Sequence, residues 1–536
     1  MILSAYGNRR PFDMAGTTKP TLICSIGVPL LVFVSGGIAA LVASQPSDSV
    51  TITSPLEGAV FPSDIAPPLF RWRGGAPGMH WRVSVNLVGE GSSILAECTS
   101  PEWRPSPEHW ESIKRHSRTH AARLSVSDLP MVGDEKARTS SATVSFQTSP
   151  DPVGAPIFYR EVPLPVSLAM DNKPLIAWKV GDVSSTEPPR TVLTGMRTCA
   201  NCHSFTPDGK TLAMDLDFAT DKGAYAIAPI GEDVKIGRSE LITWNDYRRE
   251  DGQETLGFFS TISPNGRYVV STVKETIVLK FLPDPNCSQI FFPIRGILAL
   301  YDRETRGFQS LPGGDDPAFV HTNSTFSPDG RTLVFSRAMV PEGLPRGLAV
   351  EGGLSPAIVD DFAEGRRKVQ YDLYRLPFNN GHGGPAESVV GASANGRSNF
   401  FPKYSPDGRW IVFCQADSMM LNRLDSALFI MPAVGGSPRR LKCNVEGRMN
   451  SWHSFSPNSR WLVYASKASG PFTQLWLTHI DEKGNDTPPV MLDGFVAAGR
   501  AANIPEFVNL APDQLMAIRI ADEIRQSTST LPTRPK

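Results

Sequence analysis

Two cysteines and a histidine stand together in the stretch TCANCHSFTPDGK, residues 198–210, with the spacing C-x-x-C-H. In an exported protein this spacing is the attachment signature of a c-type haem, because two thiols bond to the porphyrin vinyl groups and the adjacent imidazole binds the iron. Cys199 and Cys202 would be the attachment residues and His203 the axial iron ligand. The sequence therefore predicts one covalent haem per chain.

Three other interpretations of the cysteine pair stay open. The thiols could form a local redox disulfide, although such a site is typical of a βαβ context that is missing here. They could be half of a zinc site, but no second C-x-x-C and no H-x-x-H pair accompanies them. They could also be buried structural thiols. The sequence contains no G-x-S-x-G elbow and no H-E-x-x-H helix, so a hydrolase or metalloprotease is not indicated.

The histidine of the motif opens a hairpin that recurs along the chain. Its five copies are FTPDGKTLAM (205–214), ISPNGRYVV (262–270), FSPDGRTLVF (326–335), YSPDGRWIVF (404–413) and FSPNSRWLVY (455–464). In each copy Pro presets φ for a turn, Asp or Asn caps it, and Gly takes the left-handed position in four of the five. Further strands such as YDLYRLPF and TQLWLTHI follow most copies. This pattern predicts one four-stranded blade per repeat.

The ends of the repeat region predict how a ring of blades closes. KPLIAWKV and PRTVLTG, within residues 173–194, are typical of outer strands without an inner pair, and ANIPEFVNLAPD (502–513) could supply an inner strand. One composite blade would give six blades and remove an exposed edge, although five or seven blades remain open. We expect an all-β fold with a six-bladed β-propeller over residues 160–515 and a C-terminal tail over 516–536.

A smaller β domain is expected before the propeller. Residues 50–150 contain VTITSPLEGAVF, HWRVSVNLV, ARLSVSDL and SATVSFQTS, in which apolar and polar residues alternate between proline-rich turns. Such alternation predicts a small β-sandwich of immunoglobulin or fibronectin type III style. PSPEHWESIKRH (105–116) has a helical pattern and interrupts the sandwich.

The N-terminus predicts export. Residues 21–44 form an uncharged apolar run long enough to cross a bilayer, and Arg9, Arg10 and Lys19 precede it. Positive residues stay in the cytoplasm, so we expect a cytoplasmic tail over 1–20, a transmembrane signal anchor over 21–44, and the bulk of the chain in the periplasm of a bacterium, held at the inner membrane. Cleavage after the small residues VAS, with release into the periplasm, is the alternative.

The repeated [FY]-S-P-[DN]-G hairpins resemble the WD40-like (PD40) β-propeller repeats of the TolB family over most of residues 195–470. CANCHSFTPDGK, DPVGAPIFYR, SNFFPKYSPDGRW, MNSWHSFSPNSRW and ANIPEFVN are similar to a bacterial group of TolB-like proteins, some of them related to cytochrome c. The resemblance implies a propeller of the cell envelope, since TolB itself is periplasmic and works with the Tol-Pal system. The anchor, the sandwich and C-x-x-C-H are departures from TolB.

The repeat indicates a second iron ligand. His203 lies four residues before Pro207, and His453 lies four residues before Pro457. Equivalent positions of the innermost strands face a common channel in a propeller, so His453 is the first candidate for the distal ligand. Its alternative role is to satisfy local turn carbonyls. Further candidates for the distal position are Met449, Met196 and His321.

The other cysteines do not predict a disulfide framework. Cys414 lies in the second strand of its blade and Cys443 near the end of the fourth, two strand spacings or roughly 9.6 Å apart. A disulfide needs Cα atoms within about 7 Å, so we do not expect this pair. Cys98 and Cys287 have no evident partners, and Cys24 lies in the apolar N-terminal run.

Composition narrows the function classes. Lys plus Arg (53) nearly balances Asp plus Glu (54), and no long basic run is present, so nucleic-acid binding is disfavoured. The sequence favours electron transfer through the haem, with a redox partner or an envelope protein of unknown identity. A non-enzymatic interaction scaffold of the envelope is the alternative, and a haem-dependent peroxidase or oxidase is a third hypothesis.

Overall fold

A computed structural model describes residues 49–524 except 75–78, 88–92, 130–139, 197–201, 217–220, 345–353, 512 and 523. The predicted tail 1–20 and anchor 21–44 therefore lie outside the described residues, as does Cys199. No helix in the described part is both long and apolar enough to cross a bilayer. Strands predominate over helices, which confirms the predicted all-β class.

The N-terminal part of the described chain forms two sheets and one helix. Its elements are β1 (Thr51–Ser54), β2 (Ala59–Phe61), β3 (Phe70–Arg73), β4 (His80–Asn86), β5 (Ser93–Cys98), β6 (Glu102–Trp103), α1 (Pro107–Ser117), β7 (Ala122–Leu129) and β8 (Ser141–Thr148). One sheet has the order β2-β8-β7-β4-β5 and the other β1-β3-β6. In β4, Trp81, Val83 and Val85 are buried and alternate with more exposed residues, as the period-two pattern predicts.

Helix α1 has a defined start and one buried face. Ser106 precedes it and accepts a hydrogen bond from a backbone amide of the first turn, while Pro107 stands where no amide donor is needed. Trp110 is buried, and its indole donates to the Ile65 carbonyl at 2.9 Å. The helix predicted for PSPEHWESIKRH is present and packs on the sheets.

The chain then alternates short strands and turns. The elements up to residue 302 are β9 (Ile157–Pro163), α2 (Val166–Asp171), β10 (Ala177–Gly181), β11 (Arg190–Leu193), β12 (His203–Phe205), β13 (Thr211–Asp215), β14 (Ala224–Pro229), β15 (Asp233–Ile236), β16 (Leu241–Thr243), β17 (Phe258–Ile262), β18 (Tyr268–Phe281) and β19 (Gln289–Asp302). The elements after it are β20 (Gly307–Ser310), β21 (Phe319–Phe326), β22 (Thr332–Met339), α3 (Pro356–Ala363), β23 (Asp372–Pro377), β24 (Glu387–Ser388), β25 (Ser398–Tyr404), β26 (Trp410–Ala416), β27 (Ala427–Pro432), β28 (Arg439–Arg440), β29 (Asn450–Phe455), β30 (Trp461–Ser466), β31 (Gln474–His479), β32 (Val490–Met491), β33 (Arg500–Phe507) and β34 (Ala517–Ile520).

These strands form a series of antiparallel sheets. The four-stranded sheets are β11-β10-β9-β33, β12-β13-β14-β16, β25-β26-β27-β28 and β29-β30-β31-β32. An eight-stranded sheet contains β17-β18-β19 with β20 on β19, followed by β21-β22-β23-β24. A parallel bridge between Gly296 and Val320 joins its two halves. Each predicted hairpin supplies the first two strands of one such unit.

All five hairpins share one turn chemistry. The hydroxyl before the turn proline donates to the Asp or Asn after it; Ser327, for example, bonds Asp329 at 2.6 Å and accepts the Thr332 amide at 3.0 Å. The left-handed residue is glycine in four turns and Ser459, with φ of 61°, in the fifth. The Ser459 hydroxyl accepts the Asp407 amide of the neighbouring hairpin at 3.0 Å, a contact that glycine could not make.

Segments from both ends of the repeat region lie in one sheet. β33 pairs antiparallel with β9, with Ala502 opposite Glu161 and Phe507 opposite Ile157. β10 and β11 extend the sheet beyond β9. ANIPEFVN is therefore the inner strand that the segment 173–194 lacks.

The C-terminal segment differs from its prediction. We expected a tail over residues 516–536, but Ala517–Ile520 forms β34, which runs parallel to β15. The alternation of Ile518 and Ile520 with polar residues explains the strand, because both isoleucines are buried. Two alternating apolar residues are too short a pattern to predict a strand from the sequence.

The N-terminal sheets and the sheet of β29 to β32 share a continuous hydrophobic core. Trp461 of β30 is fully buried in a cluster that also contains sandwich residues such as Trp72 and Phe61. The Trp461 indole donates to the Asp151 carbonyl at 3.2 Å, and the Asp151 carboxylate lies 2.9 Å from the His479 ring. The N-terminal sheets are thus fixed to the sheet of β29 to β32 by apolar packing and by hydrogen bonds.

Replacing Trp461 tests this shared core. Trp461→Ala removes a fully buried indole, so we expect the free energy of unfolding to fall by about 3–5 kcal/mol in urea titrations. Val434→Ala, at a side chain 82% exposed, is the matched control and should change it by less than about 0.5 kcal/mol. A loss below about 1 kcal/mol in Trp461→Ala would contradict the shared core.

Candidate functional site

The innermost strands carry a left-handed bulge at equivalent places. The bulge residues are Phe259 (φ 56°), Asn323 (φ 57°), Phe401 (φ 52°), Trp452 (φ 41°) and Ile504 (φ 52°). The pairing register shifts at each of them. Cys202, five residues before its turn proline, holds the position equivalent to Phe259. A bulge re-aims neighbouring side chains, so it directs this ring of residues toward a common space.

That space is a chamber of about 90 Å³. It is lined by the bulge-position residues and by the residues that follow them: Cys202 and His203, Phe259 and Ser260, Asn323 and Ser324, Phe401 and Pro402, Trp452 and His453, and Ile504 and Pro505. His203 and His453 therefore border one chamber, as their register indicated. Inner strands that converge on one central space are the arrangement of a β-propeller.

His203 is fully buried and lacks hydrogen-bond partners. Its side chain is 0% exposed, and its ring lies edge-on to Phe158 at 4.6 Å between centroids. Neither ring nitrogen makes a hydrogen bond of standard geometry to a described residue, although the Ile504 backbone lies beside the ring. Burial, then the charges of Lys403 and Arg160, lower the pKa of His203 to about 3. The imidazole is therefore neutral and its lone pair is free.

A carboxylate faces the same ring. Glu506 Oε2 lies 3.8 Å from His203 Nε2, beyond hydrogen-bonding distance. Burial raises the pKa of Glu506, and the positive charge of Lys403 opposes that shift. Both Glu506 and Lys403 line the small chamber. No group of three or more His, Cys, Asp or Glu side chains in the described part is arranged to hold a metal ion.

Cys202 is held by its backbone beside Asp215. The Cys202 amide donates to Asp215 Oδ2 at 3.0 Å, and the Asp215 amide donates to the Cys202 carbonyl at 2.9 Å. Burial, and then the Asp215 charge, raise the pKa of the Cys202 thiol well above its usual value. Cys199, the other cysteine of the motif, lies outside the described residues. Cys414 and Cys443 are free thiols, as expected from their predicted separation.

His453 has partners for its ring. Its Nε2 donates to the Val412 carbonyl at 2.9 Å, and its Nδ1 lies 3.9 Å from Cys414 Sγ. Burial lowers the pKa of His453 to about 3. The other three distal candidates, Met449, Met196 and His321, are buried and do not line either cavity described here.

A second, larger cavity of about 650 Å³ adjoins the chamber. Cys202, Phe259, Trp452 and Ile504 line both spaces. The wall of the larger cavity is mainly apolar, and its aromatic members are Phe258, Phe259, Phe281, Phe291, Trp452 and Phe472. Its charged members are Arg160, Asp171, Asp215 and Lys467. The volume is in the range of pockets that take large organic ligands.

One wall of this cavity is a long hairpin, which we call the arm and define as residues 274–296. β18 and β19 are 14 residues each, so their hairpin extends beyond the sheet. At its base Lys274 has a left-handed φ of 55°, and the pairing register shifts. Glu275 is buried there and accepts bonds from the Thr255 hydroxyl and the Leu256 amide, each at 2.6 Å.

Sequence reasoning missed four features of the site: Lys403, Glu506, the arm and the left-handed bulges. Lys403 lies three residues before a turn proline, and Glu506 lies in the quoted strand ANIPEFVN, but neither was singled out as a site residue. The arm had a readable signal, because TIVLKF and QIFFPI alternate on either side of the turn residues PDPN. The left-handed bulges have no sequence signal, since the residue types at those positions differ.

No family model matches this chain, and no curated protein matches it. Among solved structures it is similar to TolB from Acinetobacter baumannii, with 14% identity over 72% of this chain and 79% of that chain and a TM-score of 0.41. It is also similar to an oligogalacturonate lyase from Vibrio parahaemolyticus, with 17% identity over 57% and 70% and a TM-score of 0.35. A periplasmic gluconolactonase from Pseudomonas aeruginosa has 12% identity over 62% and 82% and a TM-score of 0.32. At identities and TM-scores this low, the similarities carry no conclusion about what this chain does.

Glu275, at the base of the arm, predicts a pH dependence. Burial raises the pKa of Glu275 from 4.5 to about 7, so between these two pH values the folded chain holds a proton that the unfolded chain has released. Stability must fall as pH rises through this window, by about 2–3 kcal/mol from this residue. Urea unfolding of the wild type and of Glu275→Gln at pH 5, 6, 7 and 8 should show the dependence flattened in the variant. Glu446→Gln, at an exposed side chain, is the control, and equal slopes for wild type and Glu275→Gln would refute the prediction.

Proposed function

We propose that the chain binds one covalent c-type haem in the cavity beside Cys202 and transfers electrons through it. Cys199 and Cys202 are the proposed attachment residues, and His203 is the proposed axial ligand. The observation that carries the proposal is the His203 ring, which is buried in the 90 Å³ chamber and follows Cys202, a residue that also lines the adjoining 650 Å³ apolar cavity. When bound, a haem supplies one-electron chemistry at a potential set by its ligands and its burial.

The state of His203 supports ligation. A buried polar atom without a partner lowers the stability of a fold by about 1–3 kcal/mol. A ligand bonded to the His203 ring would remove this cost. A metal needs the neutral imidazole, and burial together with Lys403 and Arg160 holds the pKa of His203 at about 3. The ring therefore keeps a free lone pair at every physiological pH.

The cavity suits a large apolar ring system with charged edges. Aromatic and aliphatic side chains form most of the wall and would exclude water. Two positive side chains, Arg160 and Lys467, and two negative ones, Asp171 and Asp215, lie on the same wall and could bond polar groups at the edges of a ligand. The Asp215 carboxylate fixes the Cys202 backbone at the border, so this side chain positions one attachment residue.

His453 would be the second residue to hold the iron. It lines the same chamber as His203, but its Nε2 already donates to the Val412 carbonyl at 2.9 Å. To bind iron through Nε2, His453 would have to give up that bond.

The haem proposal requires export, because attachment through C-x-x-C-H takes place outside the cytoplasm. We therefore propose that residues 21–44 direct the chain into the periplasm, either as an inner-membrane anchor or as a cleaved signal. We also propose a six-bladed ring, in which the eight-stranded sheet counts as two blades and β33 completes the sixth. The redox partner is an envelope protein of unknown identity.

The alternative is a non-enzymatic interaction scaffold of the cell envelope. The specific observation in its favour is the continuous core that joins the sandwich to the sheet of β29 to β32. Because this core holds the two parts in a fixed arrangement, their surfaces could bind partner proteins together. On this alternative Cys202 and His203 are core residues only.

Haem attachment is the decisive measurement. The full-length chain produced with a cytochrome c maturation system should keep haem after denaturation and gain the mass of one haem. Cys202→Ala removes one thioether bond and should lose most of the covalent haem, while Cys287→Ala, at a thiol outside the motif, should keep it. A colourless wild-type protein of unmodified mass would exclude the haem proposal and leave the scaffold.

The ligand role of His453 has its own test. If His453 is the distal ligand, His453→Ala should convert a low-spin haem spectrum into a high-spin one. His321→Ala, which removes a buried histidine that does not line the chamber, should leave the spectrum unchanged. A low-spin spectrum that survives in His453→Ala would rule out His453 as the ligand.

A further inference from the structure

We propose that the tip of the arm, residues 282–288, is a movable cover over the large cavity and that Lys467 is the latch that holds it closed. The inference concerns access to the site of the proposed function, but it requires no haem. It rests on the contrast between the shaft of the arm, which is packed into the core, and the tip, which is held by a few hydrogen bonds across the cavity.

The shaft of the arm is a fixed wall. Its residues alternate: Val278 and Phe292 are fully buried in the core, whereas Leu279 and Phe291 line the cavity. The core-facing side is tied down further, since the Tyr371 hydroxyl donates to a carbonyl of β19. Moving the shaft would expose several large apolar side chains, which costs about 1.5–3 kcal/mol for each one.

The tip is attached more weakly. Pro283, Asp284 and Pro285 are exposed, and no residue from 282 to 288 is fully buried. The tip is a compact unit, because the Leu282 amide donates to the Ser288 carbonyl at 2.9 Å and so closes its neck. A unit with little buried apolar surface can detach without unfolding its neighbours.

Lys467 reaches the tip from the opposite side of the cavity. It follows β30, is 4% exposed, and donates to the Asn286 carbonyl at 2.8 Å and the Pro285 carbonyl at 3.2 Å. The Arg448 guanidinium adds a longer bond to the Asn286 side chain at 3.4 Å. Both Lys467 and Pro285 line the cavity, so these bonds span its rim.

Lys467 is therefore the main link between the tip and the rim, and its burial costs free energy. Burial lowers the pKa of Lys467, so the ammonium depends on the two tip carbonyls to replace its water. When the tip lifts, the ammonium regains water, and Leu282, Pro283 and Pro285 leave the cavity wall. Lifting the tip therefore widens access to the cavity.

Thiol labelling of Cys287 measures this motion, because Cys287 is in the tip and half-buried. In the purified full-length protein without haem, we expect a maleimide to label Cys287 at least about tenfold faster in Lys467→Met than in the wild type, since charge-assisted hydrogen bonds are lost. Binding of 8-anilinonaphthalene-1-sulfonate to the cavity should speed up in parallel. Lys280→Met, which removes a lysine of the shaft paired with Asp360, should label at the wild-type rate.

Internal controls separate opening from unfolding. Cys414 and Cys443 are fully buried, so both should stay unlabelled in Lys467→Met while Cys287 reacts. Equal Cys287 rates in wild type and Lys467→Met would overturn the proposal, as would labelling of all three thiols together, because the variant then unfolds as a whole. Neither outcome depends on haem attachment, so failure of the latch and failure of the proposed function are distinguishable.

Discussion

The pairing of β33 with β9 is the constraint on which the site depends. It places a strand from residues 500–507 beside one from residues 157–163, so the series of sheets has no unpaired inner edge at this point. Ile504 and Glu506 reach the chamber only because of this pairing. The same pairing brings Glu506 to 3.8 Å from His203 and thus completes the surroundings of that ring. The pairing of β33 with β9 therefore both covers the inner edge of β9 and positions the residues around His203.

The recurring bulge converts a regular sheet into a lined chamber. A left-handed residue other than glycine costs of order 1 kcal/mol, and the inner strands accept this cost at five described positions. A strand with unbroken alternation would present every second residue to the channel, whereas here two consecutive residues of each strand line it. Cys202 and His203, which are neighbours in sequence, border this space at the equivalent two positions.

The sequence predicted the parts of the fold that local chemistry controls. The turn signals, in which Pro is preceded by Ser or Thr and followed by Asp or Asn, located all five hairpins, and the glycine positions predicted the conformation of four of them. Ser459 was the exception, since its left-handed backbone is stabilised by Asp407 of another hairpin. The equal spacing of His203 and His453 from their turn prolines also predicted that both residues face one chamber. Long-range packing escaped prediction: the hydrogen bond from His453 to Val412, the approach of Glu506 and the reach of Lys467 all join residues distant in sequence.

The surroundings of Cys202 differ from those of a typical thiolate site. A redox disulfide and a zinc site both use the thiolate, and proteins that need a thiolate lower the thiol pKa with positive charge or a helix N-terminus. Cys202 has the opposite environment, because burial and the Asp215 carboxylate raise its pKa. The same thiol borders an apolar cavity of about 650 Å³, a space that the proposed haem would use and that a purely structural thiol would not need.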